Sequence, residues 1–175
     1  MKIACLFLLL LLFVAPCAAQ EMCDLRLKNS PMLFGLKLEM SPEEVQSIFG
    51  RDLKIKIKKK GKRVFFQNFI EKPAPNSLSG VRALYLRFFD RRLYQIEIFY
   101  EDKPGWKTLG DFTNDLSTKL NFPVSAWQIE NGKAKVNCGE LTIVADKILN
   151  PRIEITNETI RAKVEAIEAE KSKKN

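Results

Sequence analysis

Histidine is absent from the 175-residue sequence. Its absence excludes imidazole acid–base chemistry, histidine metal ligands and catalytic triads that depend on histidine. Glycine is scarce as well, with 8 residues, and no glycine-rich phosphate-binding loop occurs. The carboxylates show no paired spacing typical of glycosidases, so a hydrolase that uses carboxylates alone is the least favoured function. We therefore expect a protein that is not an enzyme and that holds no cofactor or metal.

A long apolar run occurs in one place, near the N-terminus. Lys2 is followed by an apolar stretch over residues 3–15 and by small residues up to Ala19. A positive charge, a short apolar run and a small-residue end are the three parts of a secretory signal peptide. The run is shorter than the ~20 apolar residues that span a bilayer. The sequence therefore predicts a signal peptide at residues 1–19 and a secreted or periplasmic mature chain.

Two other fates of this N-terminal segment stay open. The apolar run can be retained as a membrane anchor, or Cys17 can carry a lipid. Val14-Ala15-Pro16-Cys17 resembles a bacterial lipobox, although Pro16 stands where a small residue is expected. No later segment is apolar enough to cross a membrane, so we expect no transmembrane segment after the signal is cleaved.

Cysteine is rare in the predicted mature chain. The sequence has 4 cysteines, of which Cys5 and Cys17 leave with the signal, while Cys23 and Cys138 remain. In an oxidising compartment two remaining cysteines most simply pair, which predicts a disulfide between Cys23 and Cys138. Two buried thiols are the alternative, and two cysteines are too few for a typical structural zinc site.

The mature chain is predicted to form one α+β globular domain over residues 20–158, followed by a C-terminal helix with a frayed, charged tail over residues 159–175. Ser41 before Pro42 and Glu44 is typical of a capping box and predicts a helix that ends at Gly50. A second helix is predicted from the three- and four-residue spacing of Leu109, Phe112, Leu116 and Leu120.

Runs of apolar, β-branched and aromatic residues predict eight strands, four after each of these two helices. A short strand is also expected near residues 36–38. The eight runs are 53–58, 64–70, 81–89, 93–100, 124–130, 133–138, 141–146 and 152–156. The order of one helix plus four strands therefore occurs twice, which suggests a duplication. The expected architecture is one antiparallel sheet with helices packed on one face.

The first predicted helix resembles a motif of small exported bacterial proteins. The signature is G-M-T/S-x-x-E/Q-V-x-x-x-L/F-G, found in relatives of the β-lactamase inhibitor protein and in SmpA/OmlA (BamE-type) outer-membrane assembly lipoproteins. Its matching positions are Met40, Ser41, Glu44, Val45, Phe49 and Gly50, whereas Glu39 replaces the first glycine. The resemblance implies a helix-on-sheet module that binds proteins without chemistry. The repeated element order also fits the tandem arrangement of the inhibitor protein.

Positive charge is concentrated in one part of the chain. Residues 51–100 hold 13 Lys/Arg and 4 Asp/Glu, and residues 54–63 are the most basic segment. Such a concentration attracts anionic partners, although lysines on a strand also protect sheet edges against aggregation. Arg91 and Arg92 are possible additions to this charge. The candidate binding residues are Lys54, Lys56, Lys58, Lys60, Lys62, Arg63, Tyr85 and Arg87.

These features favour a binding module that engages a protein partner through a face of its sheet. Tyr85, Arg87, Phe89 and Phe99 are expected on the face opposite the core, and this face is too apolar for plain solvent exposure. The C-terminal helix is expected to cover it, and the alternative is an interface. The other function left open is a basic surface for an anionic envelope component, either a lipid headgroup, a glycan or nucleic acid. Export makes nucleic acid the least favoured of these.

Overall fold

The protein is described by a computed structural model for residues 29–50 and 78–173, together with the backbone of residues 58–60 and 63–65. It has an α+β fold with three helices and eight strands in these ranges. The elements in chain order are α1 (Pro42–Phe49), β1 (Lys58–Lys60), β2 (Arg63–Phe65), β3 (Val81–Phe89), β4 (Arg92–Tyr100), α2 (Leu109–Leu120), a 3-10 turn (Val124–Ala126), β5 (Gln128–Glu130), β6 (Lys133–Cys138), β7 (Leu141–Asp146), β8 (Arg152–Asn157) and α3 (Glu158–Ser172).

Strands β3 to β8 form one open antiparallel sheet in the order β3-β4-β8-β7-β6-β5. The final strands of the two halves, β4 and β8, pair within this sheet, where Ile96 lies opposite Ile155 and Ile98 opposite Ile153. The short strands β1 and β2 form a separate two-stranded sheet, and β2 lies against β3. Among the described residues, one helix followed by four strands thus occurs twice, in the predicted order. Most of the length of the strands predicted at 53–58 and 64–70 lies outside the described residues.

The pleat of the sheet separates a core face from a second, open face. On the core face the pairs Leu86–Ile96 and Ile96–Ile155 are fully buried. Helices α1 and α2 pack against this face through Phe49 and Phe112, which belong to the same cluster of buried apolar side chains. This arrangement confirms the predicted antiparallel α+β architecture, with α1 and α2 sharing one side of the sheet.

Both of these helices begin with a reciprocal capping box. Ser41 Oγ accepts a hydrogen bond from the Glu44 N–H at 3.1 Å, and the Ser41 N–H donates to Glu44 Oε2 at 2.6 Å. The backbone hydrogen bond from Ser41 also lowers the pKa of Glu44. Thr108 and Asp111 form the same pair at the start of α2. The cap at Ser41 is the one predicted from the sequence, and each such cap satisfies backbone donors that the first helical turn leaves unpaired.

An aromatic cluster lies between α2 and the core face. The Trp106 and Phe112 rings have centroids 4.8 Å apart, and Tyr100 is 5.6 Å from Trp106 and 5.8 Å from Phe112. Trp127 is also buried, and its Nε1 donates to Ser117 Oγ at 2.9 Å. Both tryptophans therefore serve packing in the core.

Two strand predictions are wrong: one predicted strand is absent and the other is shorter than predicted. Residues 36–38 do not form a strand, because Leu33 and Leu36 exchange backbone hydrogen bonds of 3.0 and 2.8 Å across a tight turn. Phe34 and Gly35 between them have φ angles of 54° and 80°, a left-handed conformation that is incompatible with a strand. The strand predicted over residues 124–130 is shortened to Gln128–Glu130, since Val124–Ala126 forms a 3-10 turn.

Replacing Tyr100 with phenylalanine is expected to raise the free energy of unfolding at pH 7 by about 1 kcal/mol. The Tyr100 hydroxyl is buried and has no hydrogen-bond partner within the described ranges, so the wild type carries a desolvation cost that the variant lacks. Urea denaturation of both proteins measures the difference. A variant that is less stable than the wild type would show that the hydroxyl has a stabilising partner.

The same pair of proteins is expected to differ in alkaline solution. Burial, and then the charge of Asp115, raise the pKa of Tyr100 above its ordinary value of 10.0. The unfolded chain therefore loses this proton first, and the wild type should lose about 1.4 kcal/mol of stability per pH unit above pH 10 relative to Tyr100→Phe. Parallel pH profiles for the two proteins would contradict this.

Candidate functional site

The open face of the sheet is the candidate site, and we define it by Tyr85, Glu97, Phe99, Asp146, Arg152 and Glu154. Antiparallel pairing places them in two rows across the strands. Tyr85 lies opposite Glu97 and Glu97 opposite Glu154. In the next row Phe99 lies opposite Arg152, and Arg152 opposite Asp146. Aromatic and charged side chains therefore share one surface.

Helix α3 covers only part of the open face. It contacts β4 and β8, and Arg161 reaches Glu154 at 4.0 Å while pairing with Glu158 at 2.6 Å. Val164 is the buried residue of this 15-residue helix. The helix begins at Asn157, whose Oδ1 accepts a hydrogen bond from the Ile160 N–H at 3.1 Å. The predicted covering is therefore correct over β4 and β8, whereas the side formed by β3 stays accessible.

A small concavity lies on this accessible side. Its volume is about 180 Å³, and its lining residues are Arg82, Ala83, Tyr85, Phe99 and Asn150. The Tyr85 and Phe99 rings meet edge to face, with centroids 5.6 Å apart. Arg82 Nη1 donates to Asn150 Oδ1 at 2.6 Å, which ties the loop before β8 to the start of β3. The cleft therefore has an aromatic floor and a polar rim.

Two strongly exposed apolar side chains precede Asn150 in the same loop. Ile148 has 68% and Leu149 has 92% of its surface exposed. Single exposed apolar residues are common on protein surfaces, but adjacent ones beside a half-buried aromatic pair are typical of an interaction surface. The sequence signal for this feature is the apolar dipeptide Ile148-Leu149 in a turn between two strands.

The charges of the open face are organised around Arg152. Its Nη1 donates to Glu97 at 2.8 Å, while its Nε and Nη2 donate to one oxygen of Asp146 at 2.9 and 2.6 Å. Burial lowers the pKa of Arg152, but the hydrogen bonds to Asp146 and Glu97 outweigh it, so the net pKa is raised. The guanidinium also lies 5.8 Å from the Phe99 ring. Arg152 thus neutralises two carboxylates and supports the aromatic floor.

Comparison with protein-family models, curated proteins and solved structures finds no match to this chain. The resemblance of residues 34–50 to the exported bacterial proteins therefore stays a prediction. Within the part of the chain that the structure describes, no group of three or more His, Cys, Asp and Glu residues is arranged to hold a metal ion. No helix among the same residues combines the length and apolarity that a membrane span requires.

The predicted basic residues are only partly placed. Tyr85 and Arg87 lie on β3, Lys58 and Lys60 on β1, and Arg63 on β2, where it lies opposite Lys60 in the pairing register. Because β2 lies against β3, this hairpin is next to the accessible side of the open face. The remaining candidates lie outside the described residues: Lys54, Lys56 and Lys62.

Among the described residues, Arg91 and Arg92 have their acidic partners near the first helix. Arg91 pairs with Glu43 at the start of α1, and Arg92 lies 3.5 Å from Glu39. The sequence could not show this because the hairpin turn directs both arginines toward the first helix, and Asp90 and Arg91 adopt positive φ angles in that turn.

The predicted disulfide and signal peptide involve residues outside the described ranges. Cys138 is buried on β6, where it lies opposite Leu141. Its predicted partner Cys23 and the predicted signal at residues 1–19 are not among the described residues, so both stay predictions.

Proposed function

We propose that the protein is a secreted or periplasmic, non-catalytic module that binds a protein partner through the open face of its sheet. The observation that carries the proposal is the half-buried Tyr85–Phe99 pair, which floors a concavity beside the exposed Leu149. Aromatic residues and arginines in small clefts are the side chains that contribute most to protein–protein affinity. Monomeric proteins rarely leave such groups together in solvent without an interface.

The size of the concavity favours a protein partner over a small molecule. Pockets for small molecules usually measure about 300–1,000 Å³, whereas this one measures about 180 Å³ and accommodates a single anchoring side chain. The nearby carboxylates Glu97 and Asp146 are committed to Arg152. A non-catalytic role agrees with this arrangement, and with the binding function that the resemblance of residues 34–50 implies.

Export is the second part of the proposal. The apolar N-terminal run supports it, and so does the pair of cysteines that remains after cleavage, because paired cysteines suit an oxidising compartment. Amino-terminal sequencing of the protein recovered from its source tests this part, and we expect the mature chain to begin at Gln20.

Site-specific photo-crosslinking tests the binding function. A benzoylphenylalanine placed at Phe99 is expected to form a discrete adduct with a protein from the extracellular or envelope fraction of the source. The same probe at Asn114, an exposed residue on α2, is expected to form none, because α2 packs on the opposite side of the sheet. Equal labelling at both positions would contradict a specific open-face interface.

A competition experiment makes the adduct diagnostic. Excess unmodified protein should suppress the adduct at position 99. A Tyr85→Ala/Phe99→Ala competitor should require at least about tenfold more protein for the same suppression, because removal of one anchor residue often costs more than 1 kcal/mol. Equal competition by both proteins would show that the aromatic pair does not contact the partner.

A further inference from the structure

We propose that the partner segment held by the open face is acidic and inserts one apolar side chain into the concavity between Tyr85 and Phe99. This inference rests on the proposed function and adds the chemistry of the partner to it. Three observations support it. They are the size of the cleft, the pairing of the carboxylates on the open face, and the location of the hairpin formed by β1 and β2.

The cleft selects the anchoring residue. Its floor is the edge-to-face pair Tyr85–Phe99, and Ala83 leaves room between the strands. Because the volume is about 180 Å³, it suits one large apolar or aromatic side chain. Leu149, with 92% of its surface exposed, stands next to Asn150 of the lining and can pack against the backbone on either side of that anchor.

The positive charges beside the cleft have neutral partners within the described residues. Arg82 donates to the Asn150 amide oxygen. Burial raises the pKa of Tyr94, and the nearby charge of Arg87 partly offsets that rise. Neither side chain is engaged with a described carboxylate. Both are exposed on β3, at the accessible side of the open face.

The negative charges of the same face are already paired. Glu97 and Asp146 bind Arg152 at 2.8 and 2.6 Å, and Glu154 lies 4.0 Å from Arg161. On β3, Arg82 and Arg87 are thus the cations that form no ion pair with a carboxylate among the described residues, and Arg82 lines the cleft. Charge complementarity of this kind steers association and excludes like-charged partners.

The hairpin next to β3, formed by β1 and β2, has a basic sequence. Strands β1 and β2 contain Lys58, Lys59, Lys60 and Arg63, and β2 lies against β3. An acidic segment that binds in the cleft and runs along β3 would therefore lie next to a hairpin with a basic sequence. A membrane surface is the other anionic candidate, but its lipid headgroups have no side chain to fill the concavity, so we assign the surface to an acidic protein segment.

Binding of designed peptides to the full mature protein tests the inference. The probe is the peptide Asp-Glu-Phe-Glu-Asp, and its matched controls are Asp-Glu-Ala-Glu-Asp and Lys-Arg-Phe-Arg-Lys. Backbone amide chemical shifts of the isotopically labelled protein are followed during each titration. We expect the acidic phenylalanine peptide to shift the amides of Tyr85 and Phe99. We expect the alanine peptide to bind at least about tenfold more weakly and the basic peptide to cause no saturable shift there.

A charge-reversed variant separates charge from fold. Arg82→Glu should weaken the acidic peptide at least about tenfold, whereas Lys107→Glu, an equal change at the exposed start of α2, should leave it unchanged. Raising the salt concentration should weaken binding to the wild type, because exposed charges are screened. The amide spectrum of each variant shows whether it is folded.

Three results would overturn the inference. The first is equal binding of the acidic and basic peptides, and the second is shifts confined to residues outside the open face. The third is a stronger response of the Tyr85 and Phe99 amides to vesicles of anionic lipid than to the acidic peptide. A positive crosslink at position 99 together with a negative peptide titration would reject the acidic segment while leaving the protein-binding function in place.

Discussion

Replacing Phe112 with alanine is expected to lower the free energy of unfolding by about 3–5 kcal/mol. The Phe112 side chain is fully buried between α2 and the sheet, 4.8 Å from the Trp106 ring and 5.8 Å from the Tyr100 ring. Its removal leaves a cavity lined by the rings of Tyr100 and Trp106. Because Tyr100 belongs to β4 and Trp106 to the loop before α2, these rings cannot easily move to fill the cavity. Urea denaturation, followed by tryptophan fluorescence, measures the loss.

A second substitution on the same helix is the control. Asn114 lies on the exposed side of α2, and Asn114→Ala should change the free energy of unfolding by no more than about 0.5 kcal/mol. If Phe112→Ala and Asn114→Ala were equally stable, α2 would not pack on the core face through Phe112. The assignment of core and open faces would then be wrong.

Replacing Arg152 with methionine is expected to cost about 3 kcal/mol of stability. The substitution keeps an apolar side chain of similar length but leaves Glu97 and Asp146, with side-chain exposures of 12% and 11%, without their cation. Removing one partner of a largely buried ion pair is strongly destabilising because the remaining charge is desolvated without compensation. Thermal and urea denaturation at neutral pH measure the effect.

A rescue variant distinguishes this cause from simple loss of packing. Combining Arg152→Met with Glu97→Gln and Asp146→Asn removes the uncompensated charges, and at least half of the lost stability should return. Arg152→Lys should lie between the wild type and Arg152→Met, since lysine restores the charge but not the forked geometry. A triple variant no more stable than Arg152→Met would show that the guanidinium acts through its contact with Phe99.

Local features of the fold were predictable from the sequence because they depend on neighbouring residues. Ser41 and Glu44 are three positions apart, so their capping box can be read directly. Asn131 and Gly132 adopt φ angles of 51° and 74°, the left-handed conformations that a two-residue hairpin requires. The burial of Trp106 and Trp127 likewise follows from their large apolar surface.

The concavity was not predictable, because it depends on the register of distant strands. Arg82 and Asn150 are 68 positions apart. The irregular pairing between Val81 and Ala83 alters the simple alternation of β3, and Arg82 joins Tyr85 at the cleft even though the two are an odd number of residues apart. Neither the pairing of β4 with β8 nor this irregularity has a local sequence signal, so the aromatic face could be suspected but its cleft could not be located.

Hydroxyl-radical footprinting of the unmodified protein, alone and in complex with the partner that the crosslink identifies, tests the binding face most directly. We expect Tyr85, Phe99 and Leu149 to be oxidised in the free protein and protected in the complex. Val124, which is 51% exposed in the 3-10 turn after α2, should react equally in both samples. Protection of Val124 with unchanged oxidation of Tyr85, Phe99 and Leu149 would place the interface on the helical side of the molecule and contradict the account.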